Sequence, residues 1–338
     1  MKDGAARRRR PVGRGLDRGE DDQTLGALLS TMWVIRAFEE QVSELFAQGQ
    51  IGGLLHLGIG QEGVVVGACS VLRRDDVVYG NHRAHAHLIA KGGDLTRLMA
   101  ELAGRATGYC GGRGGSMHIS APEVGFMTAT GVVAGNIPLA LGAALVCQRR
   151  QRGQIAVCFF GDGAGQTGSF HESLNIAALW NLPIVFVCEN NGWAEFTPLS
   201  SHTPVARLSR HAETYGMAAA TVDGNDVIAV RRAMVETVAK VRVDAGPAFI
   251  ECLTHRLGGH YEGDPARYRD LSLQDEWKRH DPILRFQRLL AEQGARIDAG
   301  GLERDARQRV NAAVEQALTA PWPTDEQERL RSGVYSDG

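Results

Sequence analysis

Two polar tips interrupt apolar stretches of the chain and carry oxygen ligands. In CFFGDGAGQTGSFHE, residues 158–172, Asp162 sits among glycines, and in LPIVFVCENNGW, residues 182–193, the run closes on Asn190, Asn191 and Gly192. A carboxylate and an amide oxygen suit Mg2+, which takes hard oxygen ligands and shares its octahedron with phosphate and water. A carboxylate beside phosphate-cradling glycines repels the phosphate unless a cation lies between them. Asp162, the amide oxygen of Asn191 and a backbone carbonyl near Trp193 are therefore candidate metal ligands, with a diphosphate held through the ion. Asp-Gly and Asn-Gly are also common turn dipeptides, so either tip alone is weak evidence. The two together are stronger, because adjacent parallel strands end about 5 Å apart.

A competing pattern overlaps the first. Gly163, Gly165 and Gly168 spell G-x-G-x-x-G, and Glu189 closes the next apolar run where dinucleotide enzymes place their ribose-binding acid. An NAD-binding Rossmann oxidoreductase therefore stays open; it predicts NAD binding insensitive to Mg2+ and tolerance of Asp162→Asn. His82, His85 and His87 in NHRAHAH suggest zinc, but no cysteine or clear fourth ligand accompanies them. Local packing or hydrogen bonding is the default for His87, His171, His202, His211 and His280.

The elements that position these residues are legible in the apolar pattern. Asp21 or Asp22 can cap a long amphipathic helix built on Leu25, Leu28, Met32, Ile35, Phe38, Val42 and Leu45. A glycine-rich segment, GQIGGLLHLGIGQEG, ends it, and a second helix is expected from Gln61 to Leu72. Short β-type runs at VVYG, IAVCFFG, LPIVFVCEN, AATVDG and AFIECLTH alternate with helical patterns at Leu95–Leu102, Pro138–Gln148, Phe170–Trp180 and Val227–Lys240. This alternation predicts an α/β fold, a doubly wound parallel sheet covered on both faces, with ligands beyond the carboxyl ends of the strands. The expected organisation is a disordered basic tail over 1–22, an α/β domain with its N-terminal helix over 23–270, and a helical C-terminal extension over 271–338. Thr324 and Gln327 form a capping box for a last short helix.

Composition narrows the class. The 338 residues are 43% hydrophobic and 22% charged, with a formal net charge of −2. Such a balance gives no electrostatic case for nucleic acid or membrane partners. The six cysteines are scattered with no C-x-x-C pair, which suggests a reducing, cytoplasmic setting. Arg7–Arg10 precede no apolar segment, and Asp3, Asp17 and Glu20 interrupt the basic region, so a solvated tail is expected rather than a signal.

RAFEEQVSELFAQGQIGG, HLGIGQEG, NHRAHAH, GGRGGSMH, TGVVAGNIPLALGAA, the long stretch from Gly161 to Trp193 and GGHYEGDPARYR together resemble the thiamine-diphosphate enzymes. Among these the chain is most similar to the alpha subunit of the decarboxylating first component of 2-oxo acid dehydrogenase complexes, including acetoin dehydrogenases. The resemblance covers nearly everything after the tail. It implies the thiamine-diphosphate-binding fold, with Mg2+ on Asp162, the Asn191 side chain and the Trp193 carbonyl. The backbone of Gly163 and Ala164, at the helix start, and the Arg83 guanidinium would then meet the diphosphate, and His82 stands where many relatives carry tyrosine. It further implies that Gly131 and Val133 hold the aminopyrimidine ring and that His56 lines the entrance. His118 and His260 would donate or orient protons at the substrate carbonyl, a task suited to an ordinary histidine pKa near 6.5.

The same resemblance implies cleavage of acetoin or decarboxylation of a short, pyruvate-like 2-oxo acid, with the two-carbon unit passed to a lipoyl carrier on an acyltransferase. In this family the carboxylate that activates the cofactor comes from a beta subunit, so an α2β2 heterotetramer is implied. Tyr261 stands where mitochondrial relatives have a phosphorylated serine, and YEGDPARYR contains no Ser or Thr, so kinase control there is not expected. The loop through Tyr268 and Arg269 is expected to be mobile and to order over bound cofactor. Two other readings stay open beside NAD chemistry. One is ketol transfer to a carrier protein in biosynthesis; the other is a non-catalytic assembly subunit, for which His260→Ala leaves activity unchanged.

Overall fold

A computed structural model describes residues 20–243, 246–270, 272 and 274–323; the arginine-rich stretch and the Thr324–Gln327 pair lie outside them. The chain begins with α1 (Asp22–Ala47), α2 (Glu62–Cys69), β1 (Val77–Tyr79), α3 (Ala84–Ala90), α4 (Leu95–Leu102), β2 (Phe126–Thr128) and α5 (Asn136–Arg150). It continues through β3 (Ala156–Gly161), α6 (Gly168–Leu179), β4 (Ile184–Asn190) and a small hairpin, β5 (Trp193–Ala194) and β6 (Thr197–Pro198). Next come α7 (Leu199–His202), α8 (Ser209–Thr214), β7 (Ala218–Asp223), α9 (Val227–Arg242) and β8 (Ala248–Leu253), followed by α10 (Gln274–Arg279), α11 (Pro282–Glu292) and α12 (Ala299–Thr319).

Six strands pair in parallel in the order β2-β1-β3-β4-β8-β7. Their apolar runs are continuous because both faces are covered, and alternate residues enter different cores. Val157, Phe159, Val185, Val187 and Ile250 join residues of α1, α2, α4, α9, α11 and α12 in one core. Cys158, Phe160, Phe186, Cys188 and Phe249 join α5, α6 and α8 in the other.

The structure adds short elements to the sequence reading, among them the β5–β6 hairpin, α7 and α8. Strand β2 and helix α3 were not visible in the pattern, since three and seven residues give too little periodicity to read. Helix α1 is capped by Asp21, which accepts from Thr24 N at 2.7 Å, but it is not simply amphipathic. Every residue from Met32 to Glu39 is buried, including Arg36 and Glu39, because other helices cover both of its sides. Arg36 donates to Glu62 at 2.6 Å and to Asp281 at 2.9 Å, tying α1 to α2 and to the cap of α11.

From β1 the chain moves outward to β2, whereas from β3 it moves the opposite way to β4, which opens a crevice at the switch point between β1 and β3. The register pairs Tyr79 with Cys158, Gly161 with Glu189 and Asn190 with Leu253. The segments that follow these strand ends, Asn81–Arg83, Asp162–Ala164, Asn191–Trp193 and His255–His260, therefore emerge at one edge. Among the described residues no helix is long and apolar enough to cross a membrane.

Candidate active site

Strand β3 stops at Gly161, and Asp162–Gln166 forms a 3-10 turn before Thr167 caps α6 by accepting from Phe170 N at 3.3 Å. Gly163 and Ala164, expected at the helix start, lie in this turn instead, because Thr167 takes the cap. A β-carbon on Gly163 would sit 2.8 Å from the Ala194 β-carbon, so glycine lets the turn approach β5. Asp162 is fully buried, and neither carboxylate oxygen has a hydrogen-bond partner of good geometry. Burial pushes its pKa up, opposed by weaker pulls from neighbouring amides, His202 and Arg256. The His202 ring, expected to act only locally, places Nε2 3.8 Å from the carboxylate. A buried carboxylate without donors is costly, and its bare oxygens fit a divalent cation.

Successive side chains at the end of β4 face opposite ways. Asn190 turns inward, donating to Glu251 at 2.7 Å and accepting from Gly192 N at 3.0 Å. Asn191 donates through Nδ2 to Gln61 Oε1 at 3.2 Å, which fixes its amide so that Oδ1 accepts from Trp193 N at 3.2 Å. That oxygen keeps a second lone pair for a ligand. Glu189 is buried and accepts from Asn81 at 2.6 Å and Gln61 at 3.3 Å, with His87 Nε2 3.3 Å away. It is not free for a ribose hydroxyl, and the dinucleotide pattern loses its acid.

The three histidines of NHRAHAH diverge. His85 bonds Glu39 and Ser116, His87 packs on Phe159 beside Glu189, and His82 joins a different cluster. That cluster is His56, His82 and His260, with ring centroids 4.7, 4.9 and 5.5 Å apart. Arg83 donates to Leu57 O at 2.6 Å and His260 O at 2.9 Å, while Arg256 donates to His260 Nδ1 at 2.8 Å and Glu195 O at 3.1 Å. Among the described residues neither guanidinium is paired with a carboxylate. Burial and mutual repulsion lower the Arg83 pKa to about 9, and burial lowers that of Arg256.

Burial, then the Arg83 charge, lowers His56 to about 4 and His260 to about 3, with His82 also well down. The three histidines thus lie well below the expected pKa near 6.5. The three rings are close enough to share a metal, but two uncompensated guanidinium groups repel a cation and attract an anion.

Asp264 accepts from His260 N at 2.6 Å, Ala266 N at 2.8 Å and Tyr268 OH at 2.7 Å. Arg269 donates back to Gly258 O and Arg256 O, so the stretch expected to be mobile carries a dense internal hydrogen-bond set. On the opposite wall Ala129 N donates to Ile119 O at 2.9 Å and Gly131 abuts Met117, which places the TGVVAG and GGSMH loops side by side. Gly131, Val133 and His118 are exposed there. Sequence reasoning missed Arg256, Gln61 and His202. Arg256 had a signal, a cation one helical turn's spacing before His260; the other two acquire their positions only through the fold.

The dehydrogenase E1 component family matches residues 30–326. The alpha subunit of acetoin:2,6-dichlorophenolindophenol oxidoreductase from Bacillus subtilis (strain 168) is 44% identical over 90% of this chain and 91% of its own. Its namesake from Cupriavidus necator is 39% identical over 93% and 95%. The pyruvate dehydrogenase E1 component subunit alpha of Zymomonas mobilis is 39% identical over 91% and 88%.

Proposed function

The chain belongs to the dehydrogenase E1 component family, and from that premise we propose that it is the alpha half of a thiamine-diphosphate enzyme that cleaves acetoin or a short 2-oxo acid. The observation that carries this reading is the closeness of a buried carboxylate whose oxygens lack a well-formed hydrogen bond, Asp162, to two buried guanidinium groups without a carboxylate ion pair, Arg83 and Arg256. Asp162, Asn191 Oδ1 and the Trp193 carbonyl would hold Mg2+. Arg83, Arg256, His82 and the amides of Gly163 and Ala164 would take the diphosphate, and Gly131 and Val133 the aminopyrimidine.

Bound thiamine diphosphate supplies a carbon nucleophile for the substrate carbonyl and a sink for the electron pair left when a C–C bond breaks. This chain's residues supply position and protons. Arg256 donates into His260 Nδ1, so the neutral ring carries its proton on Nε2 and can give it to a substrate oxygen. An anion held by the two arginines offsets their charge and brings His260 back toward the range where it both gives and takes a proton. His118, on the exposed wall, exchanges protons there, and His56 lines the way in. Trp193 and the exposed Phe196 pack on Tyr268, with ring centroids 5.4 and 4.9 Å away.

A beta subunit would complete the site, a partner that the relatives' alpha-subunit names support, and we place the two in an α2β2 heterotetramer. Val132, Val133, Leu139 and Val146 present an exposed apolar stripe beside the open wall, suited to such a partner. The acceptor would be a lipoyl group on an acyltransferase. Six unpaired cysteines fit a reducing cytoplasm. Acetoin stands first among substrates on the 44% relative. The test is oxidation of acetoin and of pyruvate, read by dichlorophenolindophenol reduction, with the chain purified alongside its companion subunit. Dye reduction that requires thiamine diphosphate is expected; dye reduction with neither substrate, or unchanged rates for His260→Ala, would return the carrier-transfer and assembly readings.

A further inference from the structure

A second buried chain of polar groups lies behind the site. Glu39 on α1, His85 on α3 and Ser116 in the GGSMH loop are all buried, the first two completely. His85 Nδ1 lies 2.8 Å from Glu39 Oε2, and its Nε2 lies 2.9 Å from Ser116 Oγ. A carboxylate only accepts, so Nδ1 carries the ring proton, and in the neutral ring Nε2 accepts from the serine hydroxyl. The order of groups is that of a serine hydrolase triad, but Ser116 is buried and its hydroxyl is engaged by His85.

The placement of the ends suggests another role. Ser116 stands two residues before His118. The second oxygen of Glu39 accepts from Gly58 N at 2.9 Å, two residues after His56. One carboxylate therefore fixes the backbone beside both histidines, directly on one wall and through His85 on the other. The glycines before Ser116 are held separately, Glu101 accepting the amides of Gly112, Gly114 and Gly115, so the relay acts on the stretch that follows them, from Ser116 to His118.

We propose that Glu39, His85 and Ser116 are positioning residues that hold His118 in register with His56, so that proton transfer at the substrate depends on a hydrogen-bonded relay anchored in α1. The inference rests on the catalytic reading of His118 and His56 given above. Its reach stops short of the metal tips, because Asn191 is held by Gln61 and Trp193 N and Asp162 follows directly from the end of β3.

The test uses the intact complex with its companion subunit. For Ser116→Ala, kcat should fall about tenfold, the lower end of what outer hydrogen-bond partners usually confer, while KM and thiamine-diphosphate affinity stay within about twofold. Two double-mutant cycles locate the effect. Ser116→Ala should add nothing to Glu39→Gln, since either change breaks the same relay, and nothing to His118→Ala, since that removes the group being positioned. Should Glu39→Gln fail to fold, the His118 cycle stands alone. An unchanged kcat for Ser116→Ala, a parallel loss of cofactor affinity, or additivity with His118→Ala would overturn the relay. A wild-type rate for His118→Ala would instead overturn the catalytic reading on which it rests.

Discussion

Two buried acids, Glu101 and Asp162, have no exposure to solvent, yet the fold treats them in opposite ways. Glu101 accepts four backbone amides, from Cys110 at 2.6 Å, Gly112 at 2.9 Å, Gly114 at 2.7 Å and Gly115 at 3.2 Å, and so shapes the glycine loop around itself. Glu251 is equally provided for by Asn190, Leu208 N, Ser209 N and Thr221. Asp162 has none of this. The fold supplies Glu101 and Glu251 with donors of its own, and the contrast with the bare oxygens of Asp162 at the carboxyl ends of the strands is what the proposed metal site rests on. The unpaired Arg83 and Arg256 mark the complementary deficit of negative charge.

Substitutions break that contrast in graded ways. Asp162→Ala should lower activity by at least about 100-fold, beyond the 10–100-fold typical of groups one step removed from a metal. Its cofactor-free melting temperature should stay level or rise, because an unpaired buried charge is removed; a marked fall would place Asp162 among the structural acids. Glu101→Ala should do the reverse, destabilising the chain by about 3 kcal/mol or more as four amides lose their acceptor, read by denaturant unfolding.

Arg256→Met sharpens the charge side of the comparison. It should weaken thiamine-diphosphate binding by about 10–100-fold, the equivalent of one lost charge-assisted hydrogen bond at about 1.5–3 kcal/mol. It should also stabilise the cofactor-free chain, since the repulsion that lowers Arg83 is relieved.

The smallest effect is in pH. His56 and His260 titrate in the folded chain at about 4 and about 3, whereas unfolded histidine titrates near 6.5. Between those values the unfolded chain binds more protons, so stability falls as pH drops below about 6.5 and rises as pH is restored. Melting curves across pH 7 to 5 should show that slope, and His260→Gln should flatten it. Bound diphosphate should flatten it too, by making the protonated rings less unfavourable.

The contrast also explains what was readable beforehand. The parallel sheet was legible because strands such as β4 are apolar on both faces, and the polar tips proposed as metal ligands stood out because glycine, aspartate and asparagine punctuate the strand ends. The strand-end reading named Asn191 rather than Asn190 without a reason for the choice; the physical reason, that Asn190 is consumed by Glu251, belongs to the tertiary structure. Glu189 looked like a ribose acid in one dimension and proved to be an anchor for Asn81 and Gln61. The histidine triplet was misleading for a related reason: in α3 and the turn before it, neighbours in sequence point to different partners. Charge effects were the least legible, because the depression of His260 comes first from burial and then from two arginines distant in sequence that meet near its ring.

The most direct measurement is calorimetric titration of thiamine diphosphate into the chain with its companion subunit, with Mg2+ and again with chelator, for the wild type and for Asp162→Asn. Binding that needs Mg2+ in the wild type and is lost in Asp162→Asn is the predicted result. Binding indifferent to chelator, or retained in full by Asp162→Asn, would contradict the assignment of the bare carboxylate to a metal-bound diphosphate.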